Sequence, residues 1–81
     1  MALGNMRELV KTLRDFDCHI TIYPRITRVG ILYKLSICLY GDKVEICGAI
    51  SQEPSEFDKT AHFLLVAFHK RAEELGLVPV I

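Results

Sequence analysis

The residues whose chemistry could support catalysis or bind a metal ion are three cysteines and three histidines: Cys18, His19, Cys38, Cys47, His62 and His69. His62 and His69 stand seven residues apart, and two turns of helix would separate their rings by about 10 Å. A zinc pair on one helix needs a spacing of three or four residues. No two cysteines form a CxxC pair. We therefore predict no metal site and no cofactor.

A cysteine–histidine pair is the remaining arrangement that could act as nucleophile and base. Cys18 and His19 are adjacent on a predicted strand, so their side chains point to opposite faces and cannot act together. Cys38 and Cys47 share the strand parity of His19 and could reach it across the outer face of the sheet. We favour the alternative, a half-buried thiol beside a polar ring. The sequence also contains no glycine-rich phosphate loop and no GxSxG motif, so we predict that the protein is not an enzyme.

Length and composition predict one domain, residues 1–81, with more apolar content than its core can bury. The chain has 81 residues, 51% of them hydrophobic, and a domain of this size buries only roughly 60–65% of its unfolded surface. The excess predicts a homodimer or a protein-binding face; scattered apolar surface residues are the alternative. Ten basic and ten acidic residues cancel, which disfavours nucleic acid and anionic membranes as partners.

The cysteines and the start of the chain also predict the compartment. An odd number of cysteines among aliphatic residues favours reduced thiols over disulfides. The N-terminus lacks the charged-then-apolar pattern of a signal peptide, and no apolar run reaches transmembrane length. We expect a cytoplasmic protein with no membrane contact.

Apolar residues at helical spacing predict a long helix over residues 55–75. Ser55 followed by Asp58 is expected to cap its start, and Gly76 is expected to end it in a left-handed conformation. The apolar stripe consists of Phe57, Ala61, Leu64, Leu65, Phe68, Ala72 and Leu75.

The two ends of the chain flank this pattern. A first helix is predicted over residues 5–15, opened by Asn5 with Glu8 three residues later. The apolar tail, residues 77–81, either packs over the core or adds a short edge strand, and Pro79 argues against a central strand.

Alternating residues between the helices predict three strands. Pro24 is expected to end the first, and residues 25–30 form a loop or a frayed continuation of the strands on either side. Gly41 and Asp42 suit a two-residue hairpin turn. The predicted strands cover residues 18–23, 31–40 and 43–50. The fold class is therefore α+β in αβββα order, an antiparallel sheet with both helices on one face.

Strand parity assigns side chains to the two faces of the sheet. In the third strand, Val44, Ile46 and Ile50 are predicted to face the helices. The predicted outer face holds His19, Thr21, Tyr23, Leu32, Lys34, Ser36, Cys38, Tyr40, Glu45, Cys47 and Ala49. With two tyrosines, a leucine and thiols, this face is more apolar than a sheet face that only contacts solvent.

The element order and length resemble the double-stranded-RNA-binding domain. That family binds the phosphates of the RNA backbone through lysines at the start of its last helix. The matching residues depart from this pattern, with two acids and one lysine in Ser55-Glu56-Phe57-Asp58-Lys59. The resemblance implies a first alternative function, nucleic-acid binding through Arg25, Arg28 and Lys34.

The chain also resembles the small accessory proteins encoded by bacteriophages and other mobile elements, including anti-CRISPR inhibitors of host defence. The resemblance lies in the short chain, a strand ending in "ITIYP", the long hairpin and a helix with an acidic start. It implies a stoichiometric, non-catalytic inhibitor that binds a host complex in the host cytoplasm.

A non-catalytic, protein-binding accessory factor is the function that we predict. Phe63 and Val66 lie away from the main helical stripe, so they either pack under the tail or contact a second copy or a partner. A further alternative is an oligomer that captures a small ligand such as a nucleotide, with Tyr23 or Tyr40 stacking on it. The predicted partner-binding residues are Tyr23, Arg25, Arg28, Lys34, Tyr40, Phe63 and Val66.

Overall fold

The structure is a computed structural model, in which residues 4–80 are described. Helix α1 spans Gly4–Asp15 and α2 spans Phe57–Leu75; strands β1, β2 and β3 span Cys18–Thr27, Gly30–Leu39 and Glu45–Ser51. The strands form one antiparallel sheet in the order β1-β2-β3. This arrangement confirms the predicted α+β fold with αβββα order.

The core lies between the sheet and the helices. Its largest fully buried side chains come from one strand and both helices: Leu35 and Ile37 from β2, Leu9 and Leu13 from α1, and Leu64 and Phe68 from α2. Since β2 is the central strand, its inner face meets both helices. The alternation predicted for β2 is therefore confirmed.

Helix α2 ends as predicted but begins differently. Gly76 adopts a left-handed conformation with φ of 71°, and the Leu77 N–H donates to the Ala72 carbonyl at 2.8 Å, which closes the last turn. At the start, Pro54–Glu56 form a short 3₁₀ turn without a side-chain cap. Ser55 instead donates to a Glu53 carboxylate oxygen, so the predicted Ser55 cap is wrong.

Asp58 caps the other helix. Its Oδ1 atom accepts a hydrogen bond from the Met6 backbone N–H at 2.9 Å, which satisfies one of the donors left unpaired in a first helical turn. This contact joins the starts of α1 and α2. The predicted opening of α1 by Asn5 is wrong, because the chain is already helical at Gly4.

Strand β1 continues through Pro24, so the prediction that Pro24 ends the strand is wrong. Residues 25–27 stay paired with β2, and Pro24 lies opposite Tyr33. A proline is tolerated here because β1 is an edge strand, where one side of the backbone has no ladder partner. The alternative prediction, a continuation of the strands on either side, agrees with the structure.

Strand β3 contains a bulge that reverses the predicted faces. Cys47 pairs with Ile37 but Glu45 pairs with Cys38, which leaves Ile46 as an extra residue. Ile46 is buried as predicted, yet Cys47 and Ala49 also pack against the core. The strand-face prediction is wrong for Cys47, Ala49 and Ile50, and also for Val44, which precedes β3 and is 69% exposed.

The bulge follows a longer loop than the two-residue turn predicted. The strands end at Leu39 and resume at Glu45, and the turn is closed by the Asp42 N–H, which donates to the Leu39 carbonyl at 3.0 Å. Tyr40 and Gly41 are thus its central residues, and Gly41 has a φ of 80°. The Asp42 carboxylate then accepts from the Val44 N–H, so the loop is ordered by its own side chain.

The C-terminal tail follows one of the two predicted courses. Leu77 packs against the core, and the Val80 N–H donates to the Asp15 carbonyl at 2.7 Å. Residues 77–80 form no strand; Ile81 lies outside the described residues. The tail therefore packs across the end of α1.

Replacement of Asp58 by alanine is expected to lower the free energy of unfolding by about 1 kcal/mol, because the Met6 N–H loses its acceptor. Glu73→Ala, a control on the exposed face of the same helix, should change it by less than about 0.5 kcal/mol. Urea denaturation followed by circular dichroism measures both values. Equal stabilities for the two variants would contradict a role for Asp58 in joining the helices.

Candidate protein-binding surfaces

The β1–β2 hairpin extends beyond the helices that cover the sheet. Ten residues of strand span about 33 Å, whereas the twelve residues of α1 span about 18 Å. The Tyr33 ring meets Phe57 at the start of α2, with ring centroids 5.4 Å apart, and the strands continue past that point. All residues from 22 to 31 are exposed. We call residues 22–31 the hairpin arm.

The tip of the hairpin arm is held by its own hydrogen bonds. Thr27 and Gly30 pair across a two-residue loop. The Thr27 hydroxyl donates to the Gly30 carbonyl at 2.8 Å and accepts from the Val29 N–H at 3.3 Å. Gly30 has a φ of 133°, which favours glycine. Arg28 and Val29 are therefore displayed on an ordered turn.

The underside of the hairpin arm, on the helix side of the sheet, is apolar, and neither of the described helices covers it. Ile26 pairs directly with Ile31, and both share the face of Ile22, whose partner Leu35 lies in the core. Ile26 is 88% exposed and Val29 at the tip is 90% exposed. The pattern that makes Leu35 a core residue thus continues past the end of the core.

The opposite, upper face of the hairpin arm is polar and basic. Arg25 shares this face with Tyr23, which pairs directly with Lys34 at the base of the arm. Lys34 Nζ lies 3.2 Å from Glu45 Oε1. A hydrogen bond from the Ser36 hydroxyl, and then the Lys34 ammonium, lower the pKa of Glu45. Lys34 is therefore already paired with a carboxylate.

Four of the seven predicted site residues thus belong to one structural unit. Tyr23, Arg25 and Arg28 lie in the hairpin arm, and Lys34 lies at its base. Tyr40 is at the far end of the sheet, where its ring meets His19 edge-on with centroids 5.9 Å apart. Tyr23 and Tyr40 therefore cannot stack on one small ligand within a single subunit.

Phe63 and Val66 form a second surface with the edge of β3. They are 62% and 60% exposed, and the tail runs across α1 instead of covering them. The prediction that residues 77–80 cover them is wrong, and contact with a second copy or a partner stays a prediction. An open groove of about 460 Å³ separates Phe63 from β3, lined by Ala49, Ile50, Glu56, Lys59, Thr60 and Phe63.

One of the two predicted cysteine–histidine pairs is brought together. His19 and Cys38 are direct cross-strand neighbours on the outer face, but no hydrogen bond joins their side chains, and the Cys38 sulfur contacts the Ser36 hydroxyl at 3.8 Å. Cys47 lies on the other face, so it cannot reach His19 across the outer face as predicted. Within residues 4–80, no three cysteine, histidine or acidic side chains are placed to hold a metal ion.

Sequence reasoning missed the exposed residues Ile26, Val29, Ile31 and Ile50. Ile26 and Val29 lie in the segment interpreted as a loop, and Ile31 directly follows it. The β-branched residues on both sides of Arg28-Val29 were the signal of a continuing hairpin. Ile50 was misplaced by the bulge, for which a single sequence offers no clear signal.

Comparisons with models of protein families, with curated proteins and with solved structures find no match to this chain. Both resemblances described above therefore rest on the sequence pattern and the element order alone. Neither of the two helices described is long and apolar enough to cross a membrane.

Cys47 is expected to react slowly with iodoacetamide in the native protein. Burial, followed by the nearby Glu45, raises the pKa of its thiol to about 11, so at pH 8 the thiolate fraction is about a hundredfold below that of an ordinary cysteine. Peptide mapping by mass spectrometry measures the rate.

The control is the same reaction in denaturant, where Cys18, Cys38 and Cys47 should react alike. Native labelling of Cys47 as fast as in denaturant would place it on the outer face and refute the bulged register.

Proposed function

We propose that this protein is a non-catalytic accessory factor that binds another protein through its hairpin arm. The observation that carries the proposal is the apolar underside of the arm, formed by Ile26 and Ile31 and continued by Val29 at the tip. A cluster of exposed apolar side chains marks an interaction site, whereas apolar residues scattered singly over a surface do not.

The well-ordered conformation of the hairpin arm supports binding by insertion of the arm into a groove on the partner. The strands stay paired to the last residues before the turn, and the Thr27 hydroxyl fixes the turn itself. A segment that is ordered before binding loses less conformational entropy when it docks. The arm therefore suits a groove on a folded partner.

The charges of the hairpin arm indicate the chemistry of that partner. Arg25 lies on the upper face and Arg28 at the tip, both exposed, whereas Ile26 faces the other way. A matching site is an apolar groove with acidic residues on its rim, where the arginines meet carboxylates as the isoleucines are buried.

Nucleic-acid binding is the alternative that the two arginines keep open. The rest of the surface opposes it, because Lys34 is paired with Glu45 and the start of α2 holds Glu56 and Asp58 where the RNA-binding family has lysines. Two arginines neutralise few phosphates, and affinity for nucleic acid rises with the number neutralised.

The biological setting follows from the resemblance to phage-encoded accessory proteins, and we propose an inhibitor that acts stoichiometrically on a host complex. Buried thiols at Cys18 and Cys38 suit the reducing cytoplasm of a host cell. Nothing in this proposal requires a cofactor or a chemical step.

Affinity capture from a bacterial lysate tests the proposal. We expect the wild-type protein to recover one host complex at a stoichiometric level, with or without nuclease. The double variant Ile26→Asp/Val29→Asp should lower recovery more than about tenfold, because it places charge in the apolar contact. Recovery is measured by quantitative mass spectrometry.

Val44→Asp/Val78→Asp is the matched control, since it adds the same two charges at exposed valines outside the hairpin arm, and it should leave recovery unchanged. Arg25→Glu/Arg28→Glu should weaken capture in a salt-dependent way. Capture that disappears on nuclease treatment would favour the nucleic-acid alternative. Equal capture by the wild type and the Ile26→Asp/Val29→Asp variant would refute binding through the arm.

A further inference from the structure

The two edges of the sheet differ in how they are protected. β1 carries Pro24, whose missing N–H interrupts any ladder that an added strand could form. From Cys47 to Ser51, after the bulge, β3 contains neither proline nor a charged residue. Its outer edge is thus an uncharged, regularly extended segment, with which no other strand in the described part of the chain pairs.

An exposed stripe runs alongside this edge, from the 3₁₀ turn before α2 along the helix itself. Glu56, Phe63 and Lys70 are spaced by seven residues, which places them on one side of the helix about 10 Å apart. Glu56 stands at the start of the stripe, Phe63 at its centre and Lys70 at its end; Lys59 also lines the groove between the first two. The groove between Phe63 and Ile50 joins it to β3.

The centres of the strand and of the stripe lie at the same level. β3 and α2 run in opposite directions, joined by the short segment from Ser51 to Phe57. Ala49, the centre of residues 47–51, is two strand residues, about 7 Å, before Ser51, and Phe63 is six helical residues, about 9 Å, after Phe57. A two-fold axis through Ala49 therefore passes beside Phe63, which lines the same groove as Ala49.

We propose that a second copy of this chain docks here, with β3 pairing antiparallel to β3 of the partner subunit about Ala49. The axis sets α2 antiparallel to its counterpart and brings Phe63 against Phe63 of the partner subunit. Glu56 then meets Lys70 of the partner subunit, and the same contact occurs twice because the interface is isologous.

The pattern of charges favours a second copy over an unrelated strand. A surface that is acidic at one end and basic at the other, with an apolar centre, is complementary to itself when rotated by 180°. The pairing also joins two three-stranded sheets into one of six strands and covers the apolar side chains of Ile50, Phe63 and Val66. This inference does not depend on the proposed partner of the hairpin arm.

Sedimentation equilibrium at high micromolar concentration tests the dimer. The wild type should have the mass of two chains, and Phe63→Glu should be monomeric, because two like charges would meet on the axis. Val78→Asp, at an exposed valine of the tail, should remain dimeric. Circular dichroism checks that each variant is folded.

Charge reversal tests the geometry separately. Glu56→Lys and Lys70→Glu should each weaken dimerisation about tenfold, since each reversal acts at two symmetric contacts, and the combined variant should restore it. A monomeric wild type, a dimeric Phe63→Glu or a combined variant weaker than either single one would overturn the proposal. The Ile26→Asp/Val29→Asp variant should stay dimeric, which separates this interface from the hairpin arm.

Discussion

The packing of two helices against the inner face of β2 is the interaction on which the rest of the structure depends. Leu35 and Ile37 are fully buried beneath Leu64 and Phe68, and this contact is confined to about half the length of the sheet. Because α1 is short, no part of residues 4–80 covers the inner face of the hairpin beyond Tyr33. The same amphipathic alternation therefore produces a core at one end and an apolar binding surface at the other.

The sequence predicted what local periodicity controls. The helical spacing around Phe68, the alternation of β2 and the left-handed Gly76 each reflect the conformation of neighbouring residues, and all three agree with the structure. Pro24 was misinterpreted because its tolerance depends on tertiary context: the residue breaks a central strand but fits an edge. The bulge at Ile46 was missed for the same reason, since it is defined by pairing with β2.

The candidate surfaces were predictable only in part. Arg25, Arg28 and Tyr23 were recognised from residue type, and the structure places them in one arm. Lys34 could not be known to be paired, because Glu45 reaches it only through the bulged register. An ideal Cβ at Gly48 would lie 2.7 Å from the Glu45 carboxylate, so this glycine leaves the space in which that carboxylate turns towards Lys34.

The proline in β1 also limits how this protein can assemble. A sheet with two edges free to pair can add subunits at both and grow into a fibre. A sheet in which proline blocks strand pairing at one edge has a single site of addition. Once two copies have joined at β3, each remaining outer edge carries Pro24. Growth would then stop at two subunits, so a chain with half its residues apolar would form a finite particle instead of an open polymer.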